Sequence, residues 1–241
     1  MEPAIDGNHQ DRNHQSDERK MKSLRRKPVI IFEALFEKFL CHQNGISFLS
    51  FESVSNSVDI VLKVLQQEPD DDMQEPVVCG KACYCLSLIA RIRLDGALDV
   101  VDKGGVGCIL NVMKAFPKNE VLQVGCLVTI SQLASQISDR EDYFLPVVES
   151  VVKAMEELSE SSEVFEAACL VIMSLSLIFG RKPLDHELII GYIVYGLHVH
   201  GYDDKAHFAG LRAIEYLISD PALAKHIVEQ AELEQNPGAA A

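Results

Sequence analysis

The sequence predicts an all-α solenoid of about four repeated units, because one helical pattern returns every 42 residues. Each unit carries two ladders of apolar residues that are spaced as on one face of a helix. The first ladder recurs as Leu122, Leu127, Ile130 and Leu133, then Val164, Cys169, Ile172 and Leu175, then Ala206, Leu211, Ile214 and Leu217. The second recurs as Val106, Ile109, Leu110 and Met113, then Val148, Val151, Val152 and Met155, then Ile190, Ile193, Val194 and Leu197. Stacked two-helix units of this length form solenoids, most of which bind other proteins.

A column of small residues supports the same prediction, a column being one position followed through successive units. The residues of this column are Ala82, Cys126, Ala168 and Gly210. Stacked helices need small side chains where they approach most closely. The 42-residue period does not itself require small residues at this position, so the column supports the stack independently.

The chain divides into five segments in this prediction. They are a disordered, basic-ended tail at 1–27, an N-terminal capping helix at 28–51, a repeat domain at 52–230 with units of about 52–93, 94–143, 144–185 and 186–230, and a disordered tail at 231–241. In the first unit the second ladder precedes its next copy by 48 residues and the first ladder by 44. Because the two offsets differ by four residues, we place an inserted loop between the two helices, at 66–76. A short helix at 96–102 and a Gly104-Gly105 turn open the second unit. The segment 220–230 is the first helix of a fifth unit or a cap.

The composition predicts a globular protein of a reducing compartment. Apolar residues make up 48% of the chain, which is enough for a large core. The longest apolar stretch, 167–180, contains two serines and is interpreted as a buried helix, so we expect no membrane span. The seven cysteines lie within helical patterns and the N-terminus lacks a secretory signal. We therefore expect a cytoplasmic or nuclear protein.

The net charge of −14 is unevenly placed. Residues 1–27 carry +2 and the rest of the chain −16, which argues against nucleic-acid binding. An acidic body suits a protein or peptide partner, including a basic one, although acidity alone also confers solubility. The basic run at 19–27 is a nuclear signal, a membrane-surface contact or a solubilising flank.

Candidate chemical sites are few. Cys79, Cys83 and Cys85 are interpreted as packed apolar residues, because no second Cys/His pair follows at zinc spacing. A second candidate cluster comprises His198, His200, Asp203, Asp204 and His207. It has the polar composition of a turn, and metal binding there is the weaker alternative. No phosphate loop, nucleophile elbow or zinc-protease motif is present. We expect no enzyme activity, no metal and no cofactor.

The stretch at 104–134 resembles an armadillo repeat. The resemblance is carried by its Gly-Gly junction, the apolar helix after it, the Pro-Lys-Asn turn and the Leu-Gln-x-x-small-x-x-x-Ile-x-x-Leu helix that follows, and 163–176 matches the same last helix. It extends over about 52–230 and is weaker in the fourth unit and in the HEAT-like first helices of the third and fourth units. It implies a right-handed superhelix whose concave surface, lined by the third helix of each unit, binds extended peptides or partner helices.

Armadillo proteins of the importin-α type bind basic peptides through columns of Trp and Asn on those third helices. This chain has no Trp. Its corresponding residues are Tyr84, Val128, Leu170 and Arg212 in the Trp column and Leu88, Gln132, Ser174 and Tyr216 in the Asn column. A nuclear-import receptor is therefore not expected.

The resemblance implies a non-catalytic scaffold or adaptor that binds a partner segment along the concave face. The expected anchors are Tyr84, Gln132, Arg212 and Tyr216, with Leu88 and Val128 as an apolar floor. The alternative is a structural or regulatory subunit that assembles into a larger complex through the end of the solenoid. A monomer in solution would favour the adaptor, and a stable dimer would favour the subunit.

Overall fold

The computed structural model describes residues 51–66, 76–92, 94–137, 141–179 and 186–218. These residues form nine α-helices and contain no strand, which confirms the predicted all-α class for this part of the chain. The helices are α1 (Phe51–Leu65), α2 (Pro76–Ile92), α3 (Leu94–Asp102), α4 (Gly105–Ala115), α5 (Glu120–Gln136), α6 (Val147–Glu157), α7 (Ser162–Phe179), α8 (His186–Val199) and α9 (Asp204–Ile218), with a 3₁₀ helix at Glu141–Tyr143. The predicted tails, nearly all of the capping helix at 28–51, most of the loop at 66–76 and the segment 220–230 lie outside the described residues.

The helices form two rows that pack side by side. Helices α2, α5, α7 and α9 pack against one another in this order, and we call them the front row. Helices α1, α4, α6 and α8 form the back row, each packing against the next in the same way and against the front-row helix that follows it in the chain. The short helix α3 lies against α1 and α2.

The two ladders form the core between the rows. All four ladder residues of α5 are at most 2% exposed, and those of α7 at most 3%. The last unit differs, because Leu211 is 50% exposed and Val194 53%. Their counterparts in earlier helices are covered by the next helix of the row, whereas no described helix lies beyond α8 and α9.

The small-residue column is buried against neighbouring helices. Ala82, Cys126 and Ala168 are completely buried. A Cβ atom added to Gly210 would lie 2.7 Å from Cδ2 of Leu197, so that site accommodates only a hydrogen atom without rearrangement. The column therefore has the packing role for which small side chains are needed.

Front-row helices begin at side-chain caps that share the 42-residue step. Asn119 accepts a hydrogen bond from the backbone N–H of Leu122 at 3.1 Å. Ser161 accepts one from Val164 at 3.1 Å, and Asp203 accepts one from Ala206 at 3.2 Å. Each acceptor satisfies one of the N–H groups that the first turn of a helix leaves unpaired. The caps fix the first residues of α5, α7 and α9 at equivalent positions.

The turn between α3 and α4 lies at Gly104 and Gly105, where the sequence predicts it. Gly104 has φ of 80°, a left-handed conformation that favours glycine. A Cβ atom on Gly105 would lie 2.5 Å from Cγ1 and 2.7 Å from the carbonyl oxygen of Val100. The turn thus needs both glycines, the first for its backbone angle and the second for close approach.

Lys103 attaches α3 to the back row. Its Nζ lies 2.7 Å from Oδ1 of Asp59 on α1 and 2.9 Å from Oδ2 of Asp99 on α3. It also donates a hydrogen bond of 2.7 Å to the hydroxyl of Ser55. The cation therefore bridges two helices that are 40 residues apart in sequence and holds α3 against α1.

One described helix, α7, has the length and hydropathy of a membrane-spanning helix. It has 18 residues, and 56% of this window is buried inside the folded chain. Its neighbours are α5 and α9 in the front row and α6 and α8 in the back row. A mostly buried position of this kind is typical of a core helix, which is how the sequence was interpreted.

Candidate functional site

The front row exposes one side of its helices, and we call this side the front surface. It carries several apolar side chains. The apolar and aromatic side chains that are exposed or half-buried on α2, α5 and α7 are Val77, Tyr84, Val121, Val124, Val128, Leu170, Met173 and Leu177. On α5 and α7 they recur three or four residues apart, so each helix presents an apolar stripe.

Five of the six predicted binding residues reach the front surface. Tyr84 is exposed, and the remaining four are half-buried; they are Val128, Gln132, Arg212 and Tyr216. Leu88 is only 3% exposed and belongs to the core instead. A residue so deeply buried contributes packing beneath the surface and offers a partner almost no contact area.

The Asn column of the armadillo resemblance is modified between α5 and α7. Ser174, which stands in that column, is buried and donates a hydrogen bond of 3.0 Å to the carbonyl oxygen of Leu170. The hydroxyl of Ser131 lies 3.1 Å from that of Ser174. The two hydroxyl groups therefore connect α5 and α7, and each is already paired with the other.

The amide of Gln132 is available for recognition. Its side chain is half-buried beside the Ser131–Ser174 pair and has no hydrogen-bond partner among the described residues. An amide carries both donor and acceptor atoms, so it can pair with a peptide backbone. Gln132 lies on the same side of α5 as Val128, at the edge of the apolar stripe.

A polar cluster on α9 forms one end of the front surface. The guanidinium of Arg212 lies 2.6 Å from Oε2 of Glu215 and over the ring of Tyr216, 5.4 Å from its centroid. Since Glu215 and Tyr216 follow Arg212 by three and four residues, all three side chains lie on one side of the helix. The guanidinium is thus held in place by a carboxylate and an aromatic ring.

The charge changes sign along the front surface. Helix α2 carries Lys81 and Arg91 and has no acidic residue. Helix α7 carries Glu163 and Glu166 and has no basic residue. A partner that crosses from α2 to α7 therefore meets first positive and then negative charge.

The Trp and Asn columns of the armadillo resemblance did not predict the apolar stripes of α5 and α7. Val121, Val124, Met173 and Leu177 are outside the Trp and Asn columns, and Val121 is 83% exposed. Their spacing from Val128 and Leu170 is visible in the sequence. It could have been found by asking which apolar residues fall on the polar side of each ladder.

The cysteines of α2 are packed thiols. Burial raises the pKa of Cys79 to about 11 and that of Cys85 to about 12. The contact with Cys126, together with burial, raises the pKa of Cys83 well above its ordinary value. Metal ligation and nucleophilic attack both need the thiolate, which these sites disfavour.

The histidine and aspartate cluster before α9 has structural contacts. The ring of His200 lies against Phe165, with centroids 5.4 Å apart. Asp203 caps α9 through Oδ1. Within the described part of the chain, no three His, Cys, Asp or Glu side chains come together as a metal site.

Comparison with known proteins does not add an assignment. No protein-family model, curated protein or solved structure matches the chain. The front surface and the sequence pattern are therefore the features that bear on function.

Proposed function

We propose that this chain is a non-catalytic adaptor that binds a segment of a partner protein along the front surface of an armadillo-like α-solenoid. The observation that carries the proposal is the pair of apolar stripes on α5 and α7, whose residues are exposed or half-buried. Apolar surface that remains in contact with water and is bordered by polar residues is typical of interaction sites.

The armadillo-like, right-handed solenoid of about four units is part of this proposal. It is supported by the 42-residue ladders, by the two rows of helices and by the caps that share the same step. In this architecture the front row is the row of third helices, and the front surface is the concave face.

The front surface favours an amphipathic or extended segment. The apolar stripes would take alternating or helically spaced apolar side chains, and Gln132 would pair with backbone groups beside them. Acidic residues of the segment would lie near Lys81 and Arg91 on α2, and basic residues near Glu163 and Glu166 on α7. Complementary charges of this kind set the direction in which the segment lies.

Affinity capture from a cell lysate tests the proposal. The full chain is compared with Leu170→Glu and Gln132→Ala, and helicity is checked by circular dichroism. The control is Leu145→Glu, because Leu145 is a similarly exposed apolar residue that precedes α6 and lies off the front surface.

We expect a captured protein that is retained by Leu145→Glu and lost by Leu170→Glu. Once it is identified, the affinity for Gln132→Ala should fall about tenfold, as for a truncated anchor. Equal capture by the wild type and Leu170→Glu, with both proteins folded, would place the interaction elsewhere on the molecule.

A further inference from the structure

Helix α9 exposes a stripe of large residues on the side that faces away from α7. We call it the end stripe, and it consists of Phe208, Leu211, Glu215 and Ile218. The steps of three, four and three residues place all four on one face of the helix. Its apolar members are 67%, 50% and 40% exposed, in chain order.

On α2, the columns of Leu211 and Phe208 face the next helix of the front row. Cys83 of α2, the counterpart of Leu211, lies with its Sγ 3.7 Å from Sγ of Cys126 on α5. A Cβ atom on Gly80, the counterpart of Phe208, would lie 3.7 Å from Leu122 of α5. The end stripe is therefore the continuation of an interface that the chain forms between its own front-row helices.

The back row contributes to the same exposed end. Val194 on α8 is 53% exposed, whereas Leu62, Leu110 and Val152 in its column are 4%, 5% and 9% exposed. Tyr195 beside it is also 53% exposed. The apolar end thus spans both rows.

The end stripe is not suited to another unit of the same stack. Phe208 and Ile218 stand where the preceding helices have smaller or polar residues, namely Gly80, Val124 and Glu166 in one column and Ala90, Ala134 and Ser176 in the other. At the position of Ile218 the preceding helices have the small residues that allow close approach, and a large side chain there opposes it. The next copy of the second ladder would also fall on Glu232, Gln235, Asn236 and Ala239, which do not continue the apolar pattern.

We propose that two copies of this chain associate through their end stripes, with the two α9 helices antiparallel about a two-fold axis. The stripe is suited to such a contact because its spacing is the same in both chain directions. With the axis midway between Leu211 and Glu215, Phe208 lies opposite Ile218 of the second copy. Leu211 lies against the aliphatic part of Glu215 of the second copy. A two-fold interface needs a self-complementary patch of this kind.

Charge at the edge of the stripe favours a second copy over an unrelated partner. Arg212 and Glu215 lie 2.6 Å apart within one helix, so each copy presents one cation and one anion. In the antiparallel pair, Arg212 of each copy can form an ion pair with Glu215 of the other, so the dimer would contain two such ion pairs. Tyr195 and Val194 extend the contact into the back row.

Sedimentation or light scattering of the full chain tests the proposal. At concentrations from about 1 to about 100 µM, where interfaces of ordinary size associate, we expect twice the 26.7 kDa of a single chain. Leu211→Glu should raise the dimer dissociation constant at least about tenfold, because it would bury an unpaired charge. The matched control, Val121→Glu on the front surface of α5, should leave the mass unchanged.

Charge exchange gives a second readout. Arg212→Glu should weaken the dimer, and Arg212→Glu combined with Glu215→Arg should restore it. A chain that remains monomeric over the whole range overturns the proposal, whether residues 219–241 or another protein cover the end. A dimer that Leu211→Glu leaves intact also overturns it. The proposal does not rest on the adaptor function. A dimer formed through the end stripe matches the alternative expected from the sequence, assembly through the end of the solenoid, and partner capture by the front surface is measured separately.

Discussion

The thiol of Cys126 on α5 lies 3.7 Å from the thiol of Cys83 on α2. Both side chains are completely buried, so the two sulfur atoms form a contact between neighbouring front-row helices. Here cysteine acts as a small apolar residue that allows helices to stack. The chemistry of a thiol is suppressed by the same burial that makes it useful for packing.

This relationship predicts that the buried cysteines are inert in the folded protein. At neutral pH, iodoacetamide should modify Cys83, Cys85 and Cys169 only after unfolding, because burial raises the pKa of both Cys85 and Cys169 to about 12. Peptide mass spectrometry with and without denaturant measures the modification. Ser135→Cys supplies an exposed thiol as the control. Labelling of Cys85 at the rate of this control would contradict the prediction.

Two glycines of α8 should respond oppositely to the same substitution. A Cβ atom on Gly196 would lie 2.1 Å from Cε2 of Phe165, whereas one on Gly191 would have no neighbour within 4 Å. Gly196→Ala should therefore destabilise the protein by about 1–3 kcal/mol through overpacking. Gly191→Ala should stabilise it by about 0.5–1 kcal/mol, since alanine is the better helix former.

Urea unfolding followed by circular dichroism measures both effects. The two variants add the same methyl group to the same helix, so the difference between them isolates the contact with Phe165. If Gly196→Ala were as stable as Gly191→Ala, the close packing of α8 on α7 would be wrong.

Removal of a cap should weaken the start of a front-row helix. Asn119→Ala loses the hydrogen bond to the N–H of Leu122 and should lower the free energy of unfolding by about 1 kcal/mol. Lys118→Ala is the control, because Lys118 is exposed and does not cap the helix. Thermal unfolding compares the two variants. Equal stability of both would show that the side chain of Asn119 is dispensable.

The third cap should be sensitive to acid. Hydrogen bonds from the backbone N–H of Ala206 and then from Ser162 hold the pKa of Asp203 below its ordinary value of 3.8. A lowered pKa in the folded state means that the carboxylate stabilises the fold above pH 3.8 and that this contribution disappears as the pH falls through the folded-state pKa. The stability difference between the wild type and Asp203→Asn should therefore shrink on acidification.

Melting temperatures of the wild type and Asp203→Asn at neutral pH and at about pH 3 test this prediction. Asn119→Ala is the control, since an amide does not titrate and the effect of its removal should carry no such dependence. A gap between wild type and Asp203→Asn that is unchanged at low pH would show that the carboxylate is not favoured by the cap.

The ladders predicted the helices because apolar spacing reflects the face that each helix buries. The caps Asn119, Ser161 and Asp203 share the ladder step and could also have been found from the sequence. The exposure of Leu211 could not, because it depends on whether another helix covers it and not on the helix that contains it. The position of a residue in a column therefore predicts which side of the helix its side chain lies on better than it predicts how deeply the side chain is buried.

The candidate surface was predicted only in part, for a similar reason. Tyr84 and Gln132 reach the surface, but Leu88 packs into the core although it shares a column with Gln132. Ser174 in the same column is occupied by Ser131. Burial by surrounding residues and local hydrogen bonds decide these outcomes, and the repeat pattern contains neither.

The row arrangement has a consequence for how the molecule responds to damage. Front-row helices pack chiefly on their immediate neighbours, so α9 relies on α7 and α8 and has little direct contact with α2. Each helix is therefore stabilised mainly by its neighbours, and the stabilising effect of a contact decreases with distance along the row. In a single copy of the chain, an amide near Ile218 should exchange its hydrogen with solvent long before one near Leu127 does, because α9 is the last described helix of its row.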